Sequence, residues 1–491
     1  MFYESTRNKN IKLDSSNAIL QGLSEEGGLF VYRELGDKKL DLNLLNDNYF
    51  DVGKEVIKIF LPNFSDEDIE ECLNRAYKDK FSTKDIVKIS KLKDSYIMEL
   101  FNGPTSAFKD YGLLLLSQFT RLSLEKSGEK SDILILTATS GDTGKAALEG
   151  FKDVDRIKIM VFYPNSGVSK IQELQMKTQE GENVNVCAIN GNFDDAQTAI
   201  KKIFTNENIK KELSKFNLKL SSANSINIGR LIPQVIYYVY TYMKLVNNNE
   251  IKLNEKVNFV VPTGNFGNIL AGYLAKEIGL PINKLVCASN ENNVLYDFIK
   301  TGIYDKNREF KKTISPSMDI LVSSNLERLL YYISDKNNEY INELMKNLNE
   351  TGKFELDKNL LEKIQEIFIA GYATDEDTRK IINKVYEEEN YLLDTHTAVA
   401  YKVLLDNIDN NHKSIVLQTA SPYKFALDVY TSIFDDNTID EIEVLDKLYN
   451  KTHINIPENL KDLDKKSIRF DTVIEKDDIE KYVINTINKL S

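Results

Sequence analysis

At 491 residues and a formal net charge of −12, the chain is too long for one ordinary core and has no basic footprint for nucleic acid or an anionic membrane. Hydrophobic residues at 42% and charged residues at 28% describe a globular chain rather than a disordered one. Cys72, Cys187 and Cys287 lie far apart with no Cys-x-x-Cys pair, which argues against a zinc site or disulfide framework and for a reducing, cytoplasmic setting.

Residues 1–95 read as an N-terminal accessory domain. They carry Gly27-Gly28-Leu-Phe-Val-Tyr32 and a helical pattern over 65–78, acidic early and basic late. No opening apolar segment resembles a signal peptide, and the apolar run 231–243 is too short to span a bilayer. From residue 96, strand-like runs at 133–139, 157–163, 184–189, 218–223, 257–261, 285–288 and 415–417 alternate with helical patterns. Short buried strands alternating with helices predict a parallel α/β sheet, with ligands beyond the carboxyl ends of the strands. Residues 325–392 are charged and helical in pattern and read as a helical insertion covering the sheet. The expected catalytic region is therefore 96–434. The stretch 435–491 reads as a C-terminal extension packed on it, acidic first and amphipathic over 477–490.

Five segments carry chemistry. In Phe101-Asn-Gly-Pro-Thr-Ser-Ala-Phe-Lys-Asp110, Gly103 and Pro104 break a strand, and Thr105 or Ser106 offers an N-cap oxygen to a helix over 107–120. Lys109 then sits in the first turn, where the macrodipole disfavours the ammonium, as a Schiff-base lysine requires. Read alone, it is equally an exposed lysine on a frayed turn. Pro262-Thr-Gly-Asn-Phe-Gly-Asn268 follows a strand and precedes a helical run, the geometry in which backbone amides encircle a phosphate. Ser140-Gly-Asp-Thr-Gly144, before a helix near Lys145, fails as an ATP loop. Thr139 stands where the first glycine should be, and Ala146 where a Ser or Thr should meet magnesium. Asn224, Ser225, Asn227 and Arg230 span a loop-to-helix passage in which arginine, amides and hydroxyls suit a dianion. Thr419 follows the last strand. With only His396, His412 and His453, a serine or cysteine triad is poorly supported, and His396 reads as a structural group.

The lysine stretch closely resembles the cofactor-lysine signature of the threonine synthase family, pyridoxal-phosphate enzymes of fold type II. Further matching segments follow in the family's order: Tyr3-Glu-Ser-Thr-Arg7, Leu23 to Leu29, Thr139 to Gly144, Ser222 to Arg230, Pro262 to Asn268 and Leu417 to Phe425. The resemblance implies parallel sheets like those of the tryptophan synthase β-subunit with an N-terminal accessory domain, and pyridoxal 5'-phosphate as cofactor. It implies Lys109 as the cofactor lysine and proton shuttle, Gly264, Asn265, Phe266, Gly267 and Asn268 at the cofactor, and Thr419 at the pyridine nitrogen. Thr105, Ser140, Asp142, Thr143, Asn224, Ser225, Asn227 and Arg230 become candidates for holding substrate. Asp142 stands where many fold type II relatives have Asn, in agreement with the family's own pattern. The implied reaction converts O-phospho-L-homoserine and water into L-threonine and phosphate, in a monomer or homodimer without nucleic-acid or membrane partners. The alternatives are a related phospho-lyase or β-replacement enzyme, and an amino-acid-binding protein, which would be expected to have lost the lysine.

Overall fold

The computed structural model describes residues 1–487 apart from 94, 408, 435 and 437–439, with only the backbone of residue 194. Two sheets organise the chain. The larger has six strands in the order Phe368–Tyr372, Ile282–Ser289, Val257–Pro262, Ser414–Gln418, Tyr96–Glu99 and Lys88–Lys91. All its neighbours run parallel except Lys88–Lys91, which pairs antiparallel to Tyr96–Glu99. The smaller has five parallel strands, Val473–Glu475, Val184–Asn190, Ile157–Pro164, Asp132–Ala138 and Leu218–Ser221. Every residue of Val257–Pro262 and Ser414–Gln418 is buried. Strands covered on both faces have no polar side to show, which is why their sequences do not alternate.

The region 325–392 is not wholly helical. Phe368–Tyr372 forms the edge strand of the larger sheet, parallel to Ile282–Ser289, and Lys353–Glu355 pairs antiparallel with Ile303–Asp305. Five residues between charged helices leave too short an apolar run to register against the helical pattern on both sides. The C-terminal stretch is likewise part of the architecture. Val473–Glu475 completes the smaller sheet beside Val184–Asn190, and the helix Ile479–Thr486 buries Ile479 and Val483 in a core shared with Ile209 and Leu213. The amphipathic run predicted to residue 490 extends beyond the described residues.

The helix Lys109–Ser127 is buried from Lys109 through Leu124, as an apolar helix without a polar face must be. Its covers include the N-terminal helices Ser15–Gln21 and Asp66–Tyr77. The latter opens on a capping box between Ser65 and Asp68. Tyr77 donates its hydroxyl to the Tyr111 carbonyl at 2.6 Å, and Tyr111 donates to the Ile86 carbonyl at 2.8 Å. Residues 1–77 thereby hold the helix that presents Lys109. Their own small sheet is antiparallel, with Tyr3–Ser5 between Lys12–Leu13 and Phe30–Tyr32.

Candidate active site

Three neighbouring strands of the larger sheet end at one place. Tyr96–Glu99 leads to Lys109, Ser414–Gln418 leads to Thr419, and Val257–Pro262 leads to Gly264 through Asn268. The first two exits are bonded together: the Phe108 amide donates to the Thr419 carbonyl at 2.9 Å, and the Ser421 amide to the Ser106 carbonyl at 3.0 Å. The Thr419 side chain is buried, and its hydroxyl makes no hydrogen bond to a described residue.

The lysine helix starts at Lys109 with Phe108 as N-cap and no side-chain cap, so the predicted capping by Thr105 or Ser106 does not occur. Thr105 instead gives its hydroxyl to Asp110 at 2.5 Å and its amide to the other carboxylate oxygen at 2.9 Å. Ser106 has a left-handed backbone, φ 59°, and donates to Asn459 at 2.8 Å. The turn bends the chain so that these oxygens face side chains rather than the helix amides.

Lys109 is 8% exposed. Its Nζ lies 3.1 Å from Ser317 Oγ and 3.3 Å from Asp142 Oδ2. Burial is the chief cause that lowers its pKa; the Lys424 and Arg230 charges push the same way, and Asp142 opposes them. The direction agrees with the sequence reading, and burial is its first cause. Asp142 opens the helix Asp142–Phe151, which begins earlier than the predicted Lys145. Its Oδ1 accepts from Lys424 Nζ at 2.8 Å and Gln172 Nε2 at 2.9 Å. Burial opposes ionisation of Asp142, but Lys424, Lys109 and Gln172 together outweigh it and hold the carboxyl far below the usual range. Lys424 is wholly buried and also donates to the Thr105 carbonyl at 3.0 Å. Asp142 is thus a fixed carboxylate with one oxygen turned to Lys109. Ser140 on the same loop is exposed and Thr143 half-buried. The Thr139 hydroxyl takes the Gly141 and Gly144 amides at 3.0 and 2.8 Å.

Arg230 is the third residue of the helix Ile228–Asn247, nearer its start than predicted. It is buried and donates to the Ala223 carbonyl at 3.0 Å, with no ion pair to a carboxylate among the described residues. Burial pulls its guanidinium down to about 10. The same passage places Ser225 Oγ 3.5 Å from Ser324 Oγ, itself 3.4 Å from Asn265 Oδ1, so the substrate-candidate and cofactor-candidate loops meet. Asn227 is occupied structurally: its Oδ1 caps the helix by accepting from Gly229, and its Nδ2 donates to the Ile19 and Ser222 carbonyls. Asn224 contributes backbone, its carbonyl accepting from the Asn227 amide at 3.1 Å.

The residues after Val257–Pro262 fit a phosphate-bearing cofactor. A Cβ at Gly264 would stand 2.7 Å from the Ser317 carbonyl oxygen, so no other residue lets the segments approach so closely. Phe266 turns through φ 62°, and the helix Gly267–Glu277 begins without a side-chain cap, leaving first-turn amides for an anion. Asn268 Oδ1 accepts from the Tyr237 and Tyr238 hydroxyls at 2.7 and 3.0 Å. Its Nδ2 is buried with no partner among the described residues. A buried donor left unmade costs about 1–3 kcal/mol, and a phosphate oxygen is the acceptor that this cradle suits.

Sequence reasoning missed Ser317, Gln172 and Lys424. Lys424 lies inside a matched segment and carries its own signal, a lysine in an otherwise apolar run. Ser317 and Gln172 have none, because their roles exist only through contacts between distant segments.

Known proteins give the arrangement its context. The family model described as "Threonine synthase N terminus" matches residues 2–77, and that described as "Pyridoxal-phosphate dependent enzyme" matches residues 86–417. The chain is 35% identical to threonine synthase of Saccharomyces cerevisiae, over 97% of its own length and 96% of that protein's. It is 38% identical to threonine synthase-like 1 of Homo sapiens over 84% of its length, which spans 57% of that longer protein. The crystal structure of pyridoxal-phosphate-bound threonine synthase from Brucella melitensis superposes with a TM-score of 0.88 at 34% identity, covering 99% of each chain.

Proposed function

The chain belongs to the threonine synthase family of pyridoxal-phosphate-dependent enzymes, and from that premise we infer that it converts O-phospho-L-homoserine and water into L-threonine and phosphate. The observation that carries the reading is Lys109, a buried amine facing Asp142 where three neighbouring strands end beside the Gly264 to Asn268 cradle. Pyridoxal 5'-phosphate, when bound, supplies the electron-accepting π-system on which the chemistry at Cα and Cβ depends.

The chain's own residues supply the rest. Gly264, Asn265, Gly267 and Asn268 offer amides to the cofactor phosphate, Phe266 sets the turn, and Lys109 holds the cofactor. The free amine of Lys109, buried and with its pKa lowered by that burial, would serve as the base for the Cα and Cβ protons. Asp142 stays ionised, so it orients Lys109 rather than exchanging protons itself. Arg230, with Ser140 and Thr143 on the neighbouring loop, supports binding of the substrate's charged groups. Turnover of phosphohomoserine should yield threonine and phosphate in equal amounts; phosphate without threonine would identify a related lyase instead.

Arg230→Ala is expected to raise KM for phosphohomoserine by about 10- to 150-fold, the loss of one charge-assisted hydrogen bond of about 1.5–3 kcal/mol. Binding of the phosphate-free analogue L-2-aminobutyrate, followed by absorbance, should hardly change. Equal weakening of both ligands would assign Arg230 to holding the Ala223 carbonyl.

Thr419 offers a neutral hydroxyl, which need not keep the pyridine nitrogen protonated. Thr419→Asp is therefore expected to alter the bound cofactor's absorption spectrum and lower threonine yield relative to phosphate. An unchanged spectrum and product ratio would remove Thr419 from the site. The buried free thiols Cys72, Cys187 and Cys287 support a reducing, cytoplasmic setting. No helix among the described residues is long and apolar enough to cross a membrane.

A further inference from the structure

The wall facing Lys109 is the 3₁₀ turn Pro316–Met318, and the hold on it comes from beyond the site. Its entry is fastened where Asn290 Nδ2 donates to Ser315 Oγ at 3.1 Å. Its exit is fastened by Asp319, which accepts from the Thr313 hydroxyl and amide at 2.7 and 3.0 Å and from Asn290 and Asn292 at 2.7 and 3.0 Å. The apex, Ser317, touches Lys109 through its hydroxyl at 3.1 Å, and its carbonyl lies against Gly264. At that apex the Ser317 amide donates to His396 Nε2 at 3.1 Å.

His396 is 3% exposed. Its Nδ1 lies 3.1 Å from Asp394 Oδ1, and Asp394 also accepts from the His396 amide and the Thr397 hydroxyl. A carboxylate can only accept, so Nδ1 carries the proton and Nε2 presents a lone pair to the Ser317 amide. The ring packs on Phe425 with centroids 4.8 Å apart.

We propose that His396 is a positioning residue: oriented by Asp394, it fixes the Ser317 turn so that the serine hydroxyl meets Lys109 and the carbonyl closes over Gly264. It reaches substrate and cofactor only through Ser317. This inference rests on the reading of Lys109 as the cofactor lysine.

The test uses the full chain stripped of cofactor and re-loaded with pyridoxal 5'-phosphate. Its readouts are the cofactor Kd and the rate at which cofactor becomes trapped on Lys109 by borohydride. His396→Phe keeps a ring beside Phe425 but strands the Ser317 amide, and should raise Kd about tenfold and slow trapping by a similar factor. His396→Gln, whose amide oxygen reaches the place of Nε2, should stay within about twofold of the parent. Ser317→Ala should slow trapping while leaving Kd nearly unchanged. Combining it with His396→Phe should slow trapping no further than His396→Phe alone. If His396→Phe does not fold, His396→Asn, whose amide falls short of Ser317, takes its place. Equal damage from Gln and Phe (or Asn), or multiplying effects in the double variant, would overturn the proposal. Trapping on a lysine other than Lys109 in the parent protein would instead overturn the reading beneath it.

Discussion

Lys109→Ala is expected to reduce threonine formation by about 10⁴-fold, the upper end of what one positioned acid–base group contributes. The large effect follows from two duties meeting in one atom. On the proposed reading the Lys109 amine both attaches the cofactor and, once released, serves as the buried base. Its neighbours cannot replace it. Lys424 is committed to Asp142 at 2.8 Å and to the Thr105 carbonyl at 3.0 Å, and Lys145 bonds Glu149 at 3.3 Å and Gln179. Borohydride reduction of the loaded parent, followed by peptide mapping, should find the label on Lys109 and nowhere else, and the variant should retain none. Label on another lysine, or a variant keeping a tenth of parental activity, would refute the assignment.

Lys424→Met is expected to lower folding stability by about 3–5 kcal/mol, the usual consequence of removing one partner of a buried ion pair. Asp142 would keep Gln172 and would turn to Lys109 as its remaining cation. That favours the Lys109 ammonium over the amine, so activity should also move to higher pH. The pH dependence of stability follows from the sign of the Asp142 shift. A carboxyl whose folded pKa is depressed stabilises the fold fully above its ordinary range, and loses that contribution progressively as pH falls from that range towards the depressed value, completely only in strong acid. Without Lys424 the folded value rises, so parent and variant should differ most near neutrality and converge below a pH of about 4. Asp142→Asn added to Lys424→Met should recover much of the loss, because no lone carboxylate then remains. Urea unfolding of the parent and the two variants measures this. A Lys424→Met protein within about 1 kcal/mol of the parent would show that Lys109 and Gln172 suffice for Asp142.

Much of the fold is legible in the chain because its cues are local. The strand before Gly264 announces itself by an apolar run broken only at Asn258, and Phe266 stands at the turn that the surrounding glycines suggest. Capping of Asp66–Tyr77 can be read from Ser65 and Asp68 alone. Where cues compete, the local reading fails. The strand Phe368–Tyr372 is outweighed by the charged helices around it, and Thr105, a good N-cap by type, is drawn away by Asp110.

The sequence by itself determined where the chain turns, which loops follow strands, and that Lys109 opens a helix, since each depends on residues within a few positions. Only the tertiary structure decided what Lys109 experiences. Asp142 and Lys424 come together because Asp132–Ala138 and Ser414–Gln418 end near one another although they belong to different sheets. Ser317 enters from a third segment that no periodicity marks. Burial, which dominates the lysine's pKa, is a property of everything packed around it. The macrodipole is readable from the sequence, whereas the desolvation that lowers the amine's pKa is not.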